Sequence, residues 1–209
     1  MQDLFIYSIG FLAQILFSSR LIIQWLASEK QRKVITPTLF WSLSIIASIL
    51  LFIYGFLQND FAIMFGQLIT YFIYVRNLQL QNKWLTIPLA IRWFVIFIPV
   101  TTVFYLATHL SYLSQTFLSK TEISSNLLAL GIIAQVIFTL RFVYQWLYSE
   151  KTNVSTLPKG FWYLSLFGAT LILIYGVMRN DIVLIISHLF GIIIYIRNIV
   201  LLRNESLPK

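Results

Sequence analysis

Gly10-Phe-Leu-Ala-Gln-Ile-Leu-Phe-Ser-Ser-Arg20-Leu-Ile-Ile-Gln-Trp-Leu-Ala-Ser-Glu-Lys30 returns 121 residues later as Gly131-Ile-Ile-Ala-Gln-Val-Ile-Phe-Thr-Leu-Arg141-Phe-Val-Tyr-Gln-Trp-Leu-Tyr-Ser-Glu-Lys151. In that window 11 of 21 positions are identical, too many for a chance echo of two apolar stretches. The same offset holds without a gap through Pro37/Pro158, Phe40-Trp41/Phe161-Trp162, Tyr54-Gly55/Tyr175-Gly176, Asn59-Asp60/Asn180-Asp181 and Arg76-Asn77/Arg197-Asn198. What changes between the copies is mostly one apolar residue for another; what stays is polar, aromatic, Gly or Pro. A lipid-facing helix tolerates apolar exchange, so the retained polar set is where a function is to be sought.

Composition makes this an integral membrane protein. Hydrophobic residues are 59% of the chain and charged ones 11%, whereas a soluble domain is about one quarter charged. The start Met1-Gln-Asp-Leu4 has no basic segment and no small-residue cleavage site follows, so the first apolar stretch is expected to be a retained span. There is no cysteine, which removes disulfides, thiolate metal sites and Cys nucleophiles.

Apolar runs able to cross ~30 Å of hydrocarbon fall near Leu4–Leu26, Phe40–Leu57, Phe61–Leu80, Leu85–Ala107, Leu127–Leu147, Phe161–Met178 and Ile182–Leu202. Gln58-Asn-Asp60 and Arg179-Asn-Asp181 read as tight helical hairpins with Asx caps. The one long link, His109 to Asn126, is Ser- and Thr-rich. The ends and loops after the first, third, fifth and seventh spans carry Lys30, Arg32, Lys33, Arg76, Lys83, Lys151, Lys159, Arg197, Arg203 and Lys209, against Lys120 and Arg179 on the other side. That bias puts the N-terminus outside and the C-terminus in the cytoplasm. It also accounts for the net charge of +8 without a nucleic-acid partner. Trp25, Trp41, Trp84, Trp146 and Trp162 fall at the inner boundary, as an aromatic belt.

The expected architecture is all-α, with seven transmembrane helices in a 3+1+3 order. Residues 1–80 form the first triple-helix repeat. Residues 81–120 hold a linker helix, with Pro88 and Pro99, and an outer loop. Residues 121–209 form the second repeat. A single linking span makes the two repeats parallel, and such repeats commonly place a transport path at their interface.

Arg20 and Arg141 lie about two turns inside the cytoplasmic ends of their helices, where an arginine costs a few kcal/mol. Gln24 and Gln145 share their face at i+4. Two guanidiniums facing each other across the pseudo-axis would hold an anion, phosphate above all, because the guanidinium fork donates to it bidentately. Otherwise each snorkels to headgroups or pairs with Glu29 or Glu150. Gln14 and Gln135, nearer the bilayer middle, either bond ligand hydroxyls or cross-link helices. Gln67 and His188 occupy equivalent places but differ, which suggests an asymmetric site; a lone intramembrane histidine is more often a satisfied core residue than a proton relay. Tyr54/Tyr175 and Tyr74/Tyr195 could line a path or sit in the belt. Trp41 and Trp162 are expected to be anchors, and Asp60 and Asp181 caps. At the cytoplasmic face, Glu29 is expected to pair with Arg76 and Glu150 with Arg197, beside Asn77 and Asn198, either as an inner gate or as an exposed bridge of ~0–1 kcal/mol.

No acidic residue falls in mid-membrane, and there is no His-Glu metal pattern, G-x-S-x-G or phosphate-cradling Gly-rich loop. No metal, cofactor or catalytic residue is expected.

The order A-Q…R…Q-W…S-E-K, P…F-W…S…Y-G…N-D…G-Q…Y-x-R-N-L, present in two copies, resembles the lipid A biosynthesis N-terminal domain family of bacterial membrane proteins. The second copy departs from it at Ser187-His188, where the first has Gly66-Gln67. That family is similar in its triple-helix units to the PQ-loop and SWEET transporter group, although this chain has Thr36-Pro37-Thr38 and Leu157-Pro158-Lys159 with no Pro-Gln pair. The resemblance implies a bacterial inner membrane and a link to lipid-A-disaccharide synthase, for whose glycosyltransferase domain this chain has no room. Two readings follow. The chain is a transporter or flippase binding an anionic glycolipid or polyprenyl-phosphate sugar between its repeats, or a non-catalytic subunit docking an envelope glycosyltransferase. An enzyme of lipid A synthesis is a weaker third. If Arg20, Gln24, Arg141 and Gln145 point into a cavity, transport is favoured; if outward, docking.

Overall fold

Proline sets where several helices begin. Pro37 (φ −60°, ψ 148°) and Pro158 (φ −71°, ψ 166°) are extended residues just ahead of helices. The first turns close as Phe40 N–H donates to Pro37 O and Phe161 N–H to Pro158 O, each at 3.0 Å. A residue with no N–H of its own loses nothing at a helix start. The computed structural model describes residues 2–58, 61–108 and 125–205. These form α1 (Gln2–Gln31), α2 (Thr38–Leu57), α3 (Phe61–Leu80), a 3₁₀ turn (Trp84–Thr86), α4 (Leu89–Thr108), α5 (Ser125–Thr152), α6 (Lys159–Met178) and α7 (Ile182–Glu205), with no strand among the described residues.

Among the described residues five helices carry stretches long and apolar enough to cross a membrane: Leu4–Gln31, Thr38–Leu57, Ala129–Thr152, Lys159–Met178 and Leu184–Asn204. Outer side chains such as Phe11, Phe94, Phe104, Phe167 and Ile186 are more than half exposed, a surface that suits hydrocarbon rather than water. Hydropathy places the start of the fourth span at Leu85, but α4 starts at Leu89. Pro88 holds the preceding Ile87 extended (φ −76°, ψ 134°), so Trp84–Thr86 stays a separate turn.

The α6–α7 hairpin closes as its sequence suggests. Asn180 takes the left-handed conformation (φ 55°) and donates to Val177 O, while Asp181 N–H reaches back to Gly176 O at 2.9 Å. The Asp181 carboxylate accepts from Leu184 N–H at 3.1 Å, capping α7. Asn82 and Asn153 end α3 and α5 in the same conformation, and Arg32 ends α1 so. The matching cap at Asp60 lies outside the described residues, as do Asn59, His109, Lys120, Lys209 and nearly all of the long loop.

α2 packs between α1 and α3, and α6 between α5 and α7; the two triplets meet along α3–α5 and α1–α7. α3 holds α4 through Tyr71, whose hydroxyl donates to Val95 O at 2.7 Å. Trp41 and Trp162 are not boundary anchors: both are fully buried. They sit on the central helix of each triplet, flanked on two sides. There each indole packs edge-on against its neighbour, Phe40 at 4.8 Å and Phe161 at 5.0 Å, and tilts on Tyr74 at 6.0 Å or Tyr195 at 6.1 Å. α5 and α6 come close enough that a Cβ on Gly168 would stand 2.9 Å from the Phe138 backbone.

Candidate functional site

The retained arginines of α1 and α5 are buried, with 5% of Arg20 and 6% of Arg141 exposed. Among the described residues no carboxylate pairs with either one, because Glu29 and Glu150 are engaged elsewhere. Each is held by neutral groups. Arg20 Nη1 donates to Ser44 Oγ at 2.6 Å, and that hydroxyl donates to Phe40 O. Arg141 Nη1 donates to Tyr195 Oη at 3.0 Å. Aromatic faces supply the rest: Phe17, Phe40, Tyr74 and Phe142 around Arg20, and Phe138, Phe142, Phe161 and Tyr195 around Arg141, with Phe138 only 3.4 Å away. Such contacts offset part of the cost of a buried cation, ~2 kcal/mol or more when dry. Yet Nε of both guanidiniums is buried with no hydrogen-bond partner, an incomplete solvation shell of the kind a ligand completes.

Both arginines line a chamber of about 290 Å³ between the triplets. Its wall also carries Gln14, Gln135, Gln67 and His188, as well as Ser18, Thr139 and Thr70. Gln67 Oε1 accepts from Ser48 Oγ at 3.0 Å, so the amide nitrogen is the group left to offer. His188 Nδ1 lies 3.0 Å from Leu184 O. A carbonyl only accepts, so Nδ1 carries a proton and Nε2 is the ring nitrogen left for another partner. The His188 ring lies tilted 5.4 Å from that of Phe138, whose face also meets Arg141.

A second chamber of about 930 Å³ adjoins the first, sharing Gln14, Leu51, Gly66, Gln67 and Gln135 with it. Its further wall is apolar, with Leu4, Phe11 and Leu184, together with Tyr7 and Tyr54. Tyr54 lies across Gly10, where a Cβ would meet the ring at 2.8 Å. Tyr175 lies across Gly131 in the same way, but it lines neither chamber and accepts from Arg179 Nη1 at 3.1 Å.

Gln24 and Gln145 point inward without lining either chamber. They form a fully buried tier one turn beyond the arginines. Gln24 Nε2 donates to Asn198 Oδ1 at 2.9 Å, and Gln145 exchanges two hydrogen bonds with Asn77, at 2.8 and 3.1 Å. Beyond them stand two ion pairs, and here the expected partners are exchanged. Glu150 takes Arg76 (Nη2–Oε2 2.8 Å) and Glu29 takes Arg197 (Nη2–Oε2 2.9 Å), each also accepting from Trp146 or Trp25. α3 packs on α5 and α7 on α1, so every pair crosses between triplets instead of staying within one. Ser18/Thr139, Thr70 and Phe142 were not singled out in the sequence. Ser18 and Thr139 follow Gln14 and Gln135 by one turn, a spacing that places them on the same face; Phe142 replaces Leu21 and carried no such signal.

Comparison with known proteins bears on this arrangement. The model of the Lipid A Biosynthesis N-terminal domain matches twice, over residues 9–79 and 130–200. The lipid-A-disaccharide synthase of Chlamydia pneumoniae is 30% identical over 96% of this chain and 34% of its own length. Those of Chlamydia muridarum and Chlamydia felis are also 30% identical, over 99% and 98% of this chain. The chain thus spans about a third of the length of the curated relatives it matches. No solved structure matches.

Proposed function

The chain belongs to the Lipid A Biosynthesis N-terminal domain family, and on that premise we propose that it is a flippase-like carrier of a phosphate-bearing lipid of lipid A or envelope glycolipid synthesis. Residues 1–80 and 121–209 act as two parallel triple-helix units of the SWEET and PQ-loop kind, joined by 81–120, in the bacterial inner membrane with the N-terminus outside. The observation that carries this reading is a pair of buried arginines, with no carboxylate partner among the described residues, lining one chamber between the triplets. Buried charge left without a counter-ion is costly, and a lipid phosphate is an anion that reaches this depth. In the proposed orientation the chamber opens toward the outer leaflet through the apolar vestibule. The Gln–Asn tier and the crossed Glu–Arg pairs close it toward the cytoplasm, and rocking of the triplets would exchange the two closures. Gln14, Gln135, Gln67, His188 and Tyr54 line the route, while Gln24, Gln145, Asn77 and Asn198 hold the inner closure.

Native mass spectrometry of gently purified wild type beside the Arg20→Ala/Arg141→Ala variant tests the reading. An anionic glycolipid bound to the wild type and absent from the variant is the expected result. The same bulk-phospholipid profile in both proteins would refute it. One observation favours a second reading: the curated relatives carry the matching stretch within a chain about three times as long, named lipid-A-disaccharide synthase. A chain of this kind would then serve as the membrane partner of a glycosyltransferase. Co-purification of such an enzyme with both wild type and variant would favour it.

A further inference from the structure

The chamber's charge and its continuation into the vestibule narrow the ligand further, given the carrier function above. Two guanidiniums share one aromatic neighbour, Phe142, at 5.3 and 4.8 Å from its centroid. They are therefore no further apart than the sum of those distances. Among the described residues no carboxylate lines the chamber: Glu29 pairs with Arg197 and Glu150 with Arg76 beyond the Gln–Asn tier, and Asp181 caps α7 at the far hairpin. Gln14, Gln67, Gln135, Ser18, Thr70 and Thr139 are neutral. The fixed charge to be matched is thus close to two. A phosphodiester brings one negative charge, whereas a phosphomonoester brings ~1.5–2 at neutral pH.

Shape points the same way. The Gln24–Asn198 and Gln145–Asn77 bonds lie one helical turn beyond the arginines, outside the chamber wall, and the chamber adjoins the apolar vestibule on the side of Gln14, Gln67 and Gln135. A phosphate at the arginines finds room for a substituent on the vestibule side, past the residues that the two chambers share. A monoester needs one exit and a diester needs two. We infer that the chamber is built for a terminal phosphomonoester: a lipid whose phosphate is its end group, seated on Arg20 and Arg141, with the remainder passing the glutamine collar into the vestibule. This sets aside a polyprenyl-phosphate sugar, whose phosphate is a diester, in favour of a glycolipid or polyprenol ending in phosphate.

The experiment is competition between dioleoyl phosphatidic acid, a monoester, and dioleoyl phosphatidylglycerol, a diester with the same chains, on the purified full chain by native mass spectrometry. The wild type should retain the monoester about tenfold or more over the diester, the worth of one additional charge-assisted contact. Arg20→Gln should bring the ratio close to one, and Arg20→Lys, which keeps the charge, should preserve most of it. Arg141→Gln serves as the second variant if Arg20→Gln loses its helical signal. Equal retention of the two lipids by the wild type, both absent from Arg20→Ala/Arg141→Ala, would overturn this inference and leave the carrier reading standing. Retention of both lipids unchanged in that double variant would overturn the two together.

Discussion

Replacing Asn77 by alanine should destabilise the protein more than replacing Asn198, although the repeat makes the two residues equivalent. Asn77 Oδ1 accepts from Gln145 Nε2 and from Ser155 Oγ, both at 2.8 Å, while Nδ2 donates to Gln145 Oε1 at 3.1 Å. Asn198 makes one such bond to the other triplet, with Gln24 Nε2 at 2.9 Å, and Gln24 Oε1 is already without a partner. The difference originates in sequence: the position of Ser155 is Val34 in the first copy, which has no hydroxyl to give. Polar interactions between membrane helices average ~0.6 kcal/mol and reach ~1.7. Asn77→Ala removes three of these hydrogen bonds and leaves the Gln145 amide oxygen unpaired. That amounts to ~2–4 kcal/mol, against ~0.5–1.5 kcal/mol for Asn198→Ala, which removes a single bond between triplets. The gap, about 2 kcal/mol, is measurable by SDS-induced unfolding in micelles followed by tryptophan fluorescence and far-ultraviolet circular dichroism. Ser155→Val should shrink it. Equal costs within about 0.5 kcal/mol, the usual additivity error, or the reverse order, would refute the account of this tier.

The crossed ion pairs are open to thiol cross-linking, since the chain has no native cysteine. With a short bifunctional thiol reagent to span the reach of the lost side chains, which exceeds that of a disulfide, Glu29→Cys with Arg197→Cys should cross-link more readily than Glu29→Cys with Arg76→Cys; the opposite pattern would restore pairing within each triplet. Gly168→Ala should cost about 1–3 kcal/mol by overpacking against the Phe138 backbone, read as an earlier unfolding midpoint, whereas the equivalent first-copy residue, Ala47, already carries a buried methyl group. Arg32→Asn should stabilise the end of α1 by up to about 1 kcal/mol, because asparagine tolerates the left-handed conformation that arginine holds there at φ 52°. No gain in thermal midpoint would count against strain at that residue.

Much of the molecule was legible in the chain. The repeat, the apolar runs and the prolines at 37, 88 and 158 each act through local chemistry. A hydrocarbon solvent requires continuous helices, and a proline fixes where one begins. The polar residues that survive in both copies were legible too, since unpaired polar groups in lipid persist only under some demand. What they do there was decided by packing. Arg20 and Gln24 share a helix face, yet one lines a chamber and the other is spent on Asn198, because α7 reaches α1 just one turn below the arginine. The burial of Trp41 and Trp162, the exchange of partners between Glu29 and Glu150, and the shared face of Phe142 depend likewise on which helices of the two triplets touch. A repeat fixes each copy's own helices alike; the interface between copies arises from surfaces far apart in sequence. Only their meeting in three dimensions determines which polar group is left free for a ligand.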